Sequence, residues 1–212
     1  MFLRYKTLAS AKLHLGWSQH TVLKASSCVR QIMVLDAPRT LSGTVEVDET
    51  FIGGMWHNKR WSTRKYGTKR GRGTSKQAIF GLFERDRHLV YVCLIGNLLK
   101  KTLMPLILQH IEKGSTIYSD GYQLYQQTPK YGYTHDWVDH TGGEYGRGQV
   151  HTNNIEGFWG LLKRRLKTTG GIRRDRLHLY LAEEVWRFNN RQDTEDAQVE
   201  RLLCLLEEKF GG

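Results

Sequence analysis

Three short runs rich in branched and aromatic residues, at 43–51, 78–83 and 88–95, restrict the fold of this chain more than any other feature. Each is set off by glycine and charged residues and has the length of a strand, and in the first Val45 and Val47 alternate with polar neighbours. Periodicity then predicts a helix over 98–111, a strand over 115–119 ending at Asp120-Gly121, a short helix over 122–127 and a strand over 133–139. Helices over 153–167, 175–190 and 193–209 complete the chain. Residues 7–33 read as two short helices around Leu15-Gly16-Trp17-Ser18, with Ser18 placed to cap the second, a helix-turn-helix-like pattern. Three strands followed by alternating helices and strands belong to the α/β class. No internal repeat and no linker rich in proline or serine interrupts the 212 residues, a length that suits one domain of moderate size with a small appendage.

Charge narrows the partner. Lysine and arginine number 32 against 21 acids, a formal surplus of +11. The surplus is concentrated. Residues 59–76 carry Lys59, Arg60, Arg64, Lys65, Lys69, Arg70, Arg72 and Lys76 with no acid among them, in a glycine-punctuated loop. Lys163, Arg164, Arg165, Lys167, Arg173, Arg174 and Arg176 are opposed only by Asp175, whereas residues 191–212 are acidic. Two acid-poor basic clusters favour a nucleic-acid backbone over a membrane, since no basic amphipathic helix with a lipid-facing stripe is evident. No run approaches the roughly 20 apolar residues that span a bilayer, and the N-terminus is broken by Arg4, Lys6, Lys12 and His14 where a secretory signal needs a continuous apolar stretch. The expected location is the cytoplasm. Cys28, Cys93 and Cys204 form neither a disulfide framework nor a zinc pattern and read as buried reduced thiols.

Three acids stand out. Asp48 lies inside an apolar strand, where an unpaired carboxylate is costly. Asp120 ends a strand just before Gly121, the position where side chains face an open crevice. Glu156 falls in the first turn of the helix that follows His151-Thr152-Asn153-Asn154. Taken singly, each also fits a helix cap, a turn or a surface ion pair. In that helix Ile155, Phe158, Trp159, Leu162 and Leu166 form one apolar stripe. Glu156 and Lys163 lie two turns apart on a neighbouring face, which an ordinary amphipathic helix with solvated charges explains as well. The chemistry that needs such acids is phosphoryl transfer with two hard cations, because Mg²⁺ prefers oxygen ligands and relieves the repulsion between gathered carboxylates. No P-loop, GxSxG or HExxH pattern occurs, and His135, His140 and His151 match no zinc spacing.

The segments Leu41-Ser-Gly-Thr-Val-Glu-Val-Asp-Glu-Thr-Phe-Ile-Gly-Gly, Tyr118-Ser-Asp-Gly-Tyr, Val138-Asp-His-Thr-Gly-Gly-Glu-Tyr and His151-Thr-Asn-Asn-Ile-Glu-Gly-Phe-Trp-Gly-Leu-Leu-Lys-Arg closely resemble the insertion-sequence transposases of the IS1595 family, in particular its ISXO2-like group. Trp186-Arg-Phe-Asn-Asn-Arg resembles the C-terminal motif of the same group, and the resemblance covers roughly residues 41–191. It implies a ribonuclease H-like mixed sheet with flanking helices, preceded by a small helix-turn-helix-like segment. The implied organisation is a helix-turn-helix-like segment over 1–40, a catalytic domain over 41–191 and a helical tail over 192–212. It implies a prokaryotic DNA transposase, associated with the nucleoid when bound to DNA, that cleaves at the ends of its element and transfers the strand into target DNA. Metal-binding catalytic acids would be Asp48, Asp120 and Glu156, with Mg²⁺ or Mn²⁺ as cofactor; Asn153 or Asn154 remains a further participant, since some relatives carry asparagine as the third residue. Lys163, Arg164, Arg165, Arg60, Lys65, Lys69, Arg70 and Arg72 would contact the terminal repeats and target DNA, and a homodimer is the implied active complex. Many relatives begin with a cysteine-paired zinc ribbon that this chain lacks, so an N-terminally shortened protein is expected. Alternatives of the same residues are a nuclease of this fold without strand transfer and a non-catalytic DNA-binding remnant.

Overall fold

The computed structural model describes residues 8–53, 61, 76–139, 146–169 and 172–210. These described residues fall into two compact units, one within the range 38–163 and one within the ranges 1–37 and 164–212.

The first unit is built on a five-stranded sheet. Its strands are β1 (Thr44–Ile52), β2 (Gln77–Glu84), β3 (Leu89–Ile95), β4 (Thr116–Asp120) and β5 (Thr134–Val138), in the order β3-β2-β1-β4-β5. The three strand-like runs become an antiparallel meander, while β4 and β5 join parallel to β1. Parallel strands need crossovers, and the intervening helices supply them. The mixed sheet with flanking helices is the ribonuclease H-like fold that the sequence motifs imply.

Alternation along β1 sorts its side chains onto two faces. Val45 and Val47 pack with Ala78, Phe80, Leu82 and Ile117 against Leu103, Met104 and Ile107 of the helix Lys100–His110, here α3. Burying each large apolar side chain of this layer stabilises the unit by about 1.5–3 kcal/mol. The opposite face of β1 presents Glu46 and Asp48 toward the helix Asn153–Thr168, here α4. The apolar stripe expected on that helix is buried throughout, at Ile155, Phe158, Trp159, Leu162 and Leu166.

Between β4 and β5 the expected helix over 122–127 is instead a 3₁₀ segment, Tyr125–Tyr131. Asp120 Oδ1 accepts the Tyr122 amide at 3.1 Å and holds residues 120–122 in a turn, which delays the start. Pro129 has no N–H to donate, and Gly132 at φ 93° ends the segment.

The second unit is helical. Its helices are α1 (Leu8–Leu15), α2 (Gln19–Leu35), α5 (Leu177–Asn189) and α6 (Glu195–Phe210). Ser18 caps α2 as expected, its side chain accepting from the Thr21 amide at 3.1 Å. The core is Ile32, Met33, Trp186 and Leu202. Trp186, the first residue of the C-terminal motif, donates its indole N–H to Asp36 at 2.8 Å, and Arg201 also binds Asp36. The cysteines correct the sequence expectation: Cys28 and Cys204 are exposed and Cys93 half-buried. Cys28 lies two residues from buried Ser26 and Arg30, and Cys204 two from buried Leu202, which turns each toward the solvent side of its helix.

Buried charge also holds this unit. Arg30 binds Glu183 at 2.7 Å and lies 4.0 Å from the centre of the Tyr180 ring, and Arg187 binds the other oxygen of Glu183 at 2.9 Å. Glu183→Ala removes the carboxylate that both guanidinium groups use. It is expected to cost about 3–5 kcal/mol, read as a lower urea midpoint by tryptophan fluorescence; a midpoint equal to that of the unaltered protein would show that solvent replaces the pair.

Candidate active site

Asp48 is reached through strand register. It stands opposite Gly81 of β2, and one residue beyond Val47, which pairs with Ser119 of β4. The next residue of β4 is Asp120, so parallel pairing brings Asp48, in the middle of β1, level with Asp120 at the end of β4. The same alternation puts Tyr118 and Asp120 on the sheet face that holds Glu46 and Asp48.

Asp48 is half-buried, and its Oδ2 accepts the indole N–H of Trp159 at 2.9 Å. Its pKa is pushed up to about 7, chiefly by desolvation and next by the charge of Glu49. Hydrogen bonds from the backbone and from Trp159 oppose the shift, and the charge of Asp120 adds to it. Glu49 points to the other face, where it accepts the hydroxyl of fully buried Tyr125. Burial and the acids Glu49, Asp120 and Asp48 push the Tyr125 hydroxyl well above its usual range.

The indole of Trp159 lies directly over Gly81. A Cβ there would sit 2.4 Å from two ring carbons of Trp159 and 3.0 Å from Ile155 Cδ1. Absence of a side chain at residue 81 is what lets α4 come close enough for its tryptophan to reach Asp48.

Glu156 stands in the first turn of α4, exposed, and its Oε1 accepts the Thr152 hydroxyl at 2.8 Å. Thr152 itself is buried. Lys163, Arg164 and Arg165 are exposed farther along the helix, and Arg165 pairs with Glu184 at 2.8 Å. Arg60, Lys65, Lys69, Arg70 and Arg72, and also His140, lie outside the described residues.

A further carboxylate ties the helix to the strand. Glu46 is fully buried, and Oε2 accepts the backbone amides of Asn154 and Ile155, each at 3.0 Å. Its Oε1 accepts Asn154 Nδ2 and Arg85 Nε, each at 2.7 Å. Arg85 also donates to the carbonyls of Gln149 at 2.7 Å and His151 at 2.8 Å, meets His151 Nδ1 at 2.8 Å, and lies 4.8 Å from the centre of the Tyr118 ring. Neither Glu46 nor Arg85 stands out by a sequence motif of its own. The available signal was that Glu46 lies two residues before Asp48 on a strand and so shares its face.

Among the described residues, no group of three His, Cys, Asp or Glu side chains is gathered as a metal site. Asp48 and Asp120 are close enough for one charge to raise the pKa of the other, while Glu156 engages Thr152. An all-oxygen donor set with two mutually repelling carboxylates fits a hard divalent cation such as Mg²⁺ and does not suit a soft metal.

A sequence profile of the ISXO2-like transposase domain matches residues 40–189. An uncharacterised protein in transposable element ISH50 of Halobacterium salinarum is 32% identical over 160 residues, 72% of this chain and 54% of that one. This chain thus spans about half the length of that relative. An uncharacterised transposase-like protein of Haemophilus influenzae is 30% identical over 123 residues, 58% of this chain and 94% of that one. Among solved structures, the catalytic core domain of BIV integrase aligns with a TM-score of 0.43 at 15% identity, over 80% of this chain and 99% of that one. The HTLV-2 integrase catalytic core domain in complex with magnesium (dimeric form) aligns with a TM-score of 0.39 at 12% identity, over 70% and 85% of the two chains.

Proposed function

The chain belongs to the ISXO2-like transposases, and from that premise we propose that it is a DDE-type DNA transposase that cuts at the ends of its element and joins them to target DNA. The observation that carries this reading is the meeting of Asp48 and Asp120 on the sheet face covered by the helix of Glu156.

Asp48, Asp120 and Glu156 would hold Mg²⁺ or Mn²⁺, which when bound supplies activation of the attacking oxygen and stabilisation of the leaving one. Trp159 donates its indole N–H to Asp48 Oδ2 and so orients the carboxylate. In the first step water attacks phosphorus at the element's end, the phosphodiester bond breaks, and the element strand keeps a 3′-hydroxyl. In the second, that hydroxyl attacks a target phosphodiester and displaces the target strand's 3′-oxygen, so one phosphodiester replaces another and no external energy source is needed. Lys163 and Arg164, with the basic residues Arg60, Lys65, Lys69, Arg70 and Arg72, supply phosphate contacts that position DNA without reading its sequence. Arg165, which also pairs with Glu184 at 2.8 Å, adds a further phosphate contact. Terminal repeats and target DNA are the partners, in a complex assembled from two copies of the chain in the prokaryotic cytoplasm. No helix among the described residues is long and apolar enough to cross a membrane.

The test is a duplex bearing the element's terminal repeat, cut beforehand to expose its 3′-hydroxyl and mixed with a target plasmid and Mg²⁺ or Mn²⁺. Joined product that disappears with EDTA is expected. Cleavage of uncut ends without any joining would replace this reading with a nuclease, and binding without either reaction would replace it with a non-catalytic DNA-binding protein.

A further inference from the structure

We infer that Glu46, Arg85 and Asn154 are positioning residues that set where Glu156 stands relative to Asp48; the inference rests on the functional reading above. A helix normally satisfies its first free amides with a side chain from the residue just before it. In α4 that residue is Thr152, whose hydroxyl instead donates to Glu156. The amides of Asn154 and Ile155 are taken by Glu46, 108 and 109 residues away in sequence. The start of the helix is therefore fixed by the strand that carries Asp48, and the local cap is released to hold the third acid.

Spacing makes this a ruler. Glu46 and Asp48 are two residues apart on one face of β1, about 6.6 Å along the strand. The groups that Glu46 grips, at residues 154 and 155, lie immediately before Glu156. Holding one end of each pair sets the separation of the other ends. Arg85 stiffens the grip, because its planar fork engages Glu46 and two carbonyls of the segment that leads into α4. A fully buried carboxylate is costly unless paired and hydrogen-bonded, and Glu46 meets that condition only with this segment docked. Asn154, whose side-chain amide is directed to Glu46, acts in this grip and not as a metal ligand.

The test uses the full chain with Glu46→Gln, Arg85→Lys and Asn154→Ala. Three quantities are read: hydrogen exchange over residues 152–157, binding of Mn²⁺ alone by electron paramagnetic resonance, and cleavage as a function of Mg²⁺ and of DNA concentration. Asn154→Ala removes one hydrogen bond and keeps the experiment decisive if Glu46→Gln fails to fold. Expected for Asn154→Ala and Glu46→Gln are faster exchange, weaker Mn²⁺ binding by roughly ten- to a hundredfold, and a fall in kcat with KM for DNA unchanged. Arg85→Lys keeps the charge beside Glu46 but loses the fork, and should show the same changes to a smaller extent. Faster exchange with Mn²⁺ binding and cleavage kept at the level of the unaltered protein would overturn the inference and leave a structural cap. An unaltered protein that neither binds Mn²⁺ nor cleaves would overturn the functional reading, and the inference with it.

Discussion

Replacing Asp48 with asparagine is expected to abolish metal-dependent cleavage and, in the same molecule, to stabilise the metal-free fold at neutral and alkaline pH. Asparagine keeps an oxygen that can accept from Trp159, so the hydrogen bond at 2.9 Å can survive while the charge is lost. Burial, with the neighbouring charge of Glu49, pushes the Asp48 pKa from 3.8 to about 7. Unfolded Asp48 releases its proton at lower pH than folded Asp48. Stability of the metal-free protein therefore falls as pH rises through that window and levels off above it. The variant escapes the fall, so above about pH 7 it should be more stable by on the order of a few kcal/mol. Urea unfolding in EDTA at about pH 5 and about pH 8 measures this. Equal stability of the two proteins at the higher pH would mean that Asp48 is well solvated. Cleavage with Mg²⁺ should fall by roughly a thousandfold or more, about 4 kcal/mol of transition-state stabilisation, with DNA binding largely kept. Asp120→Asn should lose cleavage in the same way; retained activity in either variant would remove that residue from the site.

Gly81→Ala should damage both the fold and the reaction although residue 81 carries no functional group. Its new methyl would need the space that the Trp159 ring occupies at 2.4 Å. Trp159 is 3% exposed, and in a close-packed interior its ring cannot shift without moving its neighbours. Overpacking of this kind costs about 1–3 kcal/mol. Displacement of Trp159 also removes the donor to Asp48, and a shift of about 1 Å at a reacting group can reduce rate roughly a hundredfold. A double-mutant cycle with Trp159→Phe separates the two effects. The smaller ring should restore much of the stability lost in Gly81→Ala, while cleavage stays impaired because phenylalanine cannot donate to Asp48. Additive losses in the double variant would mean that the two positions do not act through this contact.

Some of the architecture is legible in the amino-acid order. The three strand-like runs, the apolar stripe of α4 and the Ser18 cap were read from short-range periodicity and capping chemistry, and each forms within about two residues of its expected place. The segment after Asp120 departs from its hydrophobic spacing because the side chain of Asp120 turns the backbone and Pro129 disrupts the helical ladder, neither of which alters that spacing. Cys28 and Cys204 depart from the general tendency of thiols to be buried because they sit on the exposed sides of their helices.

By itself, then, the amino-acid order determined which segments are strands and helices and which acids are unusual for where they sit, because both follow from neighbours a few residues away. Tertiary structure alone decided that β1 pairs with β4 in parallel with Val47 opposite Ser119, which sets Asp48 beside Asp120. It also decided that Glu46 caps a helix 108 residues later, and that Gly81 is small because Trp159 lies over it. Those choices come from hydrogen-bond register and from the filling of a buried volume. Both are settled between segments distant in sequence, so neither leaves a periodic trace in the segments themselves.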